Sequence, residues 1–409
     1  MKSPAFNALS GNYDSRMRTT SPTRAGLSAV LLFYFLGVIL VITLAPFHFR
    51  MPSHVALDLD THPFDVVANV FLFLPLGFLF PLVLPAEREP SPIEVLGLGM
   101  LLSASIETVQ IFEPGRFPSL VDVTTNATGA MLGAIAVRYV TRRVRINARH
   151  VGRFSLEIPL VGLIYLVLPL LLALSMRAAR DPLYLLAVTP VVFIAARLLS
   201  SLQRYHFGPS QFLTDVEAGF VSGAWILLGT FPVLVSQRVA GAALVIAAGA
   251  ATWLQSTHRK TATAERRFEA EALVTVRPLV ITLILCVVFL PLASGFGPWQ
   301  LRLSLTGFRG DLDSQMLELL VPVAMLTVLG YLLAEARGRR ELSFGAAVPR
   351  IAVECAIVAL AIEIVRGIQP ATGASVAQFV VTLAAGVLGA GIYHSQRQHI
   401  RWIIAHRST

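Results

Sequence analysis

The sequence predicts an all-α, polytopic transmembrane helical bundle of about 12 spans, and three observations predict it. The chain has 409 residues, of which 55% are hydrophobic and only 14% charged, and its mean hydropathy is +0.69. A soluble domain of ordinary composition is far more polar. Apolar runs long enough to cross about 30 Å of hydrocarbon recur along the whole chain. The basic residues collect in alternate connections between those runs, as the positive-inside rule expects of a membrane protein.

The runs fall at 26–46, 64–84, 93–112, 119–140, 157–176, 182–200, 217–236, 239–256, 273–293, 316–334, 347–366 and 374–393. The first is a full span rather than a signal-peptide core, and Pro46 after Thr43, Leu44 and Ala45 disfavours cleavage there. Residues 1–25 are polar, carry Lys2, Arg16, Arg18 and Arg24, and read as a disordered cytoplasmic tail. Arg142, Arg143, Arg145, Arg149 and Arg153 form one basic block, Arg259, Lys260, Arg266 and Arg267 a second, and Arg337, Arg339 and Arg340 a third. All three lie on the same side if both termini are cytoplasmic. The net charge of +9 is then topological, and a nucleic-acid partner is not expected. The expected domains are a four-helix unit at 26–145, a four-helix middle bundle at 155–257, a degenerate second unit at 272–394 and a cytoplasmic tail at 395–409.

Polar residues inside the first unit single it out. A carboxylate at the centre of a spanning helix costs about 2.5 to 3.5 kcal/mol on insertion scales, so such residues face protein or water and mark function. The second run opens with Asp65 and Asn69, one turn apart. The third carries Ser103, Glu107 and Gln110 as a stripe toward its end, and the fourth carries Asp122 and Asn126, followed on the same face by Gly129 and Gly133. That Gly-x-x-x-Gly spacing, with Gly77, permits close helix packing. The tight connection Glu113-Pro114-Gly115-Arg116 holds Arg116 over the same end, where a guanidinium suits phosphate or carboxylate capture or pairing with Asp122 or Glu107. In the predicted topology this end faces the outer surface. An internally satisfied network that only locks three helices together is the competing reading.

Several of these residues are shared with a known family. Pro46-Phe47, Asn69 followed by Phe-Leu-Phe-Leu-Pro75-Leu76-Gly77-Phe78, Glu107 with Gln110, and Arg116, Asp122, Asn126, Gly129 and Gly133 occur in order. Together they resemble the VanZ-like family over about residues 26–145. The resemblance implies a bacterial cell-envelope protein in the cytoplasmic (inner) membrane, related to one associated with low-level teicoplanin resistance. It implies no particular reaction.

The last third echoes the first. A constant offset aligns residues 103–134 with 359–390 and matches Glu107 to Glu363, Pro114 to Pro370, Ser119 to Ser375 and Gly133 to Gly389. Gly330-Tyr-Leu-Leu echoes Gly77-Phe-Leu-Phe, so a parallel repeat of the four-helix unit is expected. Arg116 corresponds to Thr372, Asp122 to Gln378, Asn126 to Thr382 and Gln110 to Arg366. With the polar set depleted, the second copy reads as scaffold, and Glu363 and Arg366 as a local ion pair.

Cys286 and Cys355 sit in apolar runs without metal-spaced neighbours and read as packing residues. The loop with His54, Asp58, Asp60 and His62 reads as solvated rather than metal-binding, and neither metal nor cofactor is expected. The middle helices show no legible motif.

The sequence therefore predicts ligand binding by Asn69, Glu107, Gln110, Arg116, Asp122 and Asn126. The expected ligand is anionic or amphiphilic, such as a lipid-linked envelope precursor or a lipoglycopeptide, with membrane lipids as constant partners. Catalysis is open. If it occurs, Glu107 and Asp122 are the acid and base of a hydrolase or transferase. Transport is a third class that repeats would fit.

Overall fold

The computed structural model describes residues 26–45, 47, 49–52, 63–84, 88–114, 116–143, 148–206, 215–257, 265–302, 312–338, 344–369 and 373–407. Within them the chain is helical almost throughout. The helices are α1 (Gly26–Leu44), α2 (Pro63–Val83), α3 (Pro92–Gln110), α4 (Leu120–Arg143), α5 (Ala148–Arg180), α6 (Leu185–His206), α7 (Asp215–Ser236) and α8 (Arg238–Thr257). They continue with α9 (Glu265–Phe289), α10 (Leu312–Gly338), α11 (Phe344–Gly367) and α12 (Val376–Arg407). Short 3-10 turns at Pro182–Tyr184 and Leu290–Ser294 complete the helical structure. Two short strands, β1 (Leu301–Arg302) and β2 (Ala374–Ser375), pair in parallel with Leu301 opposite Ala374 and Arg302 opposite Ser375.

Among the described residues, eight helices are long and apolar enough by themselves to cross a membrane: α2 to α6, α9, α10 and α12. α1, α7 and α8 carry shorter apolar stretches, Ser28–Leu44, Trp225–Ser236 and Arg238–Thr252. α11 is interrupted by Arg350, Glu354, Glu363 and Arg366, which dilute its hydropathy. Helices α5 and α12 run well beyond the predicted apolar windows, because a helix can continue into water once its apolar part has crossed. Prolines inside α2, α6, α7, α9, α10 and α11 do not end those helices. In hydrocarbon the backbone has no better alternative than the helix, and neighbouring groups satisfy what proline frees.

The centre of the bundle is α10 with α5 and α6. Leu166, Leu170, Leu171 and Leu174 of α5 and Val188, Val191 and Ala195 of α6 are buried with Leu317, Leu320, Leu326 and Tyr331 of α10. By contrast, Ile93 and Leu101 of α3 and Val353, Ile357 and Ile364 of α11 turn outward. In water such faces would drive association, but against lipid tails they are the solvent-matched surface.

Small residues fix the closest helix pairs. Gly129 lies against the backbone of Val70, Gly133 against Leu74 and the Phe78 nitrogen, and Gly77 against the Ala130 carbonyl, so α2 and α4 run side by side in the same direction. The last helices repeat the device. Gly330 lies against Gly386, and Gly389 against Thr327 and the Tyr331 nitrogen, so α10 and α12 pair in the same way. Ala130 and Gly386, like Gly133 and Gly389, are positions that the sequence offset aligns.

One helix start is fully capped. The Ser91 hydroxyl accepts from the Glu94 amide at 3.2 Å, and the Glu94 carboxylate accepts from the Ser91 amide at 2.8 Å. This reciprocal capping box satisfies two donors that α3 cannot satisfy internally. Ser91→Ala is expected to cost about 1 kcal/mol, read as a small fall in the thermal midpoint of the detergent-solubilised protein.

Candidate functional site

Helix α1 ends where α3 ends and where α4 begins, so two sets of unpaired carbonyls and one set of unpaired amides meet at one end of the first unit. The polar residues named from the sequence fill these vacancies. The Gln110 amide nitrogen donates to the Thr43 carbonyl at 2.9 Å, and Arg116 Nη2 donates to the carbonyls of Ile42 at 3.2 Å and Ala45 at 3.4 Å. A cation and an amide thus close the C-terminus of α1, with the charge sign that the helix dipole favours there. Just beyond, Phe47 takes a left-handed backbone conformation with φ of 66°. A non-glycine residue held there stores about 1 to 2 kcal/mol, so surrounding contacts must hold this turn.

Glu107 closes the other helix end. Its Oε2 accepts from the Ser119 amide at 2.9 Å, and the Ser119 hydroxyl accepts from the Asp122 amide at 3.3 Å. Ser119 is therefore the N-cap of α4 and Asp122 sits three residues inside, where a carboxylate also suits the dipole. Asp122 and Arg116 both lie within electrostatic reach of Glu107. One turn deeper, the Asn126 amide nitrogen donates to the Ser103 hydroxyl at 2.8 Å, while Asn126 Oδ1 is buried without a hydrogen-bond partner.

The structure thus brings Ser103, Glu107, Gln110, Arg116, Asp122 and Asn126 into one region joining α1, α3 and α4. Asp65 is exposed and Asn69 half-buried at the start of α2, and the hydrogen bonds that join the set do not run through them. Five further residues take part. Ile42, Thr43 and Ala45 contribute only carbonyls, which no sequence pattern marks. Ser119 was visible in principle, since Ser119-Leu-Val-Asp122 is a capping-box pattern before an apolar run. Glu113 is only 2% exposed and accepts the Arg116 amide on its carbonyl at 3.1 Å, within the tight connection expected from the sequence. The loop with His54, Asp58, Asp60 and His62 falls within 53–62, outside the described residues.

The residues of α11, β2 and α12 that the sequence offset aligns with this end are bonded in the same pattern. Glu363 Oε2 accepts from the Ser375 amide at 2.7 Å, and the Ser375 hydroxyl accepts from the Gln378 amide at 3.2 Å. These are the partners that the sequence offset assigns to Glu107, Ser119 and Asp122. Arg366 lies within electrostatic reach of Glu363, the partner expected from the sequence, and also reaches across to Glu318 of α10, with Nη2 at 3.3 Å from Oε2.

Fold and site define an integral membrane protein in which α1, α3 and α4 are joined at one end by a buried polar network. Residues 7–142 match the family model described as VanZ/LLP1, so this third of the chain is VanZ-like. No curated protein matches the chain, and no solved structure does.

Proposed function

We propose that the polar end of the VanZ-like unit binds the head group of an amphiphilic envelope molecule in the outer leaflet of a bacterial inner membrane. A lipid-linked envelope precursor or a lipoglycopeptide such as teicoplanin has the required chemistry. This reading takes both termini as cytoplasmic, and its link to glycopeptide resistance rests on the family.

The observation that carries it is Asn126. Whichever way its amide is turned, one end meets Ser103 and the other is left in a buried place without a partner. An unsatisfied buried polar group costs about 1 to 3 kcal/mol, and a ligand hydroxyl or amide would recover that cost. The region holds three carboxylates, Glu107, Glu113 and Asp122, around the part-buried guanidinium of Arg116, with Arg50 exposed beside Phe112. That balance favours hydroxyl and amide groups of a sugar or peptide over a bare anion as the part contacted. Arg116, Gln110 and Asn69 then border the ligand.

The capping bonds favour a second reading, in which the network is purely a lock between helices. Native mass spectrometry of the detergent-purified protein separates the two. The double variant Ser103→Ala with Asn126→Leu replaces both hydrogen-bond partners by apolar groups and is expected to unfold within about 1 kcal/mol of wild type while losing a co-purifying lipid or precursor. A large stability loss with the bound species retained would establish the lock instead. Catalysis by Glu107 and Asp122 would show as a modified product that is missing only in Glu107→Gln.

A further inference from the structure

We infer that the second unit carries an anion site of its own, built by Arg302 and Arg177 beside Arg366 and suited to a phosphate group. This goes beyond the reading of the first unit and does not depend on it. The two units differ in charge in a consistent sense. At aligned positions Gln110 becomes Arg366, Glu113 becomes Gln369 and Asp122 becomes Gln378, each making the second end more positive. Within the aligned stretch the change from Arg116 to Thr372 is the one step in the opposite direction and Glu107 stays acidic as Glu363, while the register that matches Gly77 to Gly330 places Glu318 at the position of Asp65.

Two further guanidiniums come from outside the repeated helices. Arg302 lies on β1 in register with Ser375, so the strand pair pins it beside the N-terminus of α12. Arg177 lies in the last turn of α5 and stacks over the Tyr184 ring, with its Cζ 4.9 Å from the centroid. The middle helices, which showed no motif in the sequence, thereby contribute to this end of the second unit. Arg177, Arg302 and Arg366 all lie within electrostatic reach of the Glu318 carboxylate. Glu318 is committed to Arg366 through its carboxylate and to Gln378 through its carbonyl, which accepts from Nε2 at 2.7 Å. Glu363 Oε2 accepts the Ser375 amide, while its Oε1 is buried without a hydrogen-bond partner.

Arg302 is left over. Its Nη1 is buried without a hydrogen-bond partner, an arrangement whose cost an anion would remove. Planar guanidiniums bind phosphate through paired donors, and the adjacent start of α12 adds a favourable dipole. Arginines concentrated at an end predicted to face outward also run against the positive-inside rule, which a ligand role explains.

The chemistry is shared by a phospholipid head group and free phosphate. Native mass spectrometry of the full-length protein titrated with phosphatidylglycerol or phosphatidylcholine tests the first source, and thermal unfolding with inorganic phosphate the second. Arg302→Gln and Arg177→Gln are expected to weaken phosphatidylglycerol binding about tenfold each, while Arg350→Gln, an equal change of charge near the start of α11, leaves it intact. Stabilisation by inorganic phosphate that Arg302→Gln abolishes, without a lipid preference, would support the site with free phosphate as its source. Arg302→Lys keeps the charge without the paired geometry and should bind with intermediate strength, which covers a Gln variant that fails to fold. Equal binding by wild type, Arg302→Lys and Arg177→Gln in both assays would overturn the inference.

Discussion

Gly77→Leu should abolish recovery of a folded, monodisperse protein, whereas Gly37→Leu should leave it unchanged. The two glycines lie in neighbouring helices of the same unit but face different surroundings. A Cβ on Gly77 would run into the carbonyl of Ala130, with the Ala130 Cα at 2.6 Å, and a backbone cannot rotate aside as a side chain can. A Cβ on Gly37 meets nothing within 4 Å. Inserting bulk into a packed contact ordinarily costs about 1 to 3 kcal/mol, and here the α2 and α4 backbones must separate along their whole shared length. A cost above about 4 kcal/mol is therefore expected for leucine and a smaller one for alanine. Gly330→Leu should fail in the same way against Gly386. Fluorescence-detected size exclusion and thermal unfolding in detergent measure all four variants. A normal profile for Gly77→Leu would show that α2 and α4 are held by something other than close backbone contact.

How far the sequence reveals this architecture depends on which group makes each contact. Gly129 and Gly133 were legible as a packing face because small residues at that spacing have few other uses in a spanning helix. Their partners Val70 and Leu74 were not, since any apolar residue could have offered its backbone. The depth of Glu107, Gln110, Asp122 and Asn126 was legible from the cost of burying them. What they and Arg116 bind was not, because most partners are main-chain groups: the Thr43, Ile42 and Ala45 carbonyls and the Ser119 amide. Depth alone also drew Asp65 into the set, and the structure leaves it exposed at the first turn of α2. Arg366 shows a related limit. Spacing on one helix pointed to Glu363, which does lie within electrostatic reach, but not to the salt bridge with Glu318 on α10, because helical periodicity carries no information about the facing helix.

Glu107→Ala and Glu363→Ala should each lower stability by about 2 kcal/mol, and by similar amounts. In both places a carboxylate from one helix accepts the buried amide of the serine that starts the next, at 2.9 Å in the first unit and 2.7 Å in the second. Alanine leaves that amide without an acceptor and unties the end of one helix from the start of its neighbour. Glutamine keeps an oxygen able to accept the same bond, so Glu107→Gln and Glu363→Gln should recover most of the loss in thermal unfolding. The two sites share no partner, so the double alanine variant should lose close to the sum. These comparisons separate mechanics from function. If the carboxylates serve only as caps, both glutamine variants behave as wild type in every assay. A binding or chemical defect confined to Glu107→Gln, with stability retained, would mean that the first unit uses the negative charge itself. The cap would then be the part both units keep, and the charge the part that only the VanZ-like unit puts to use.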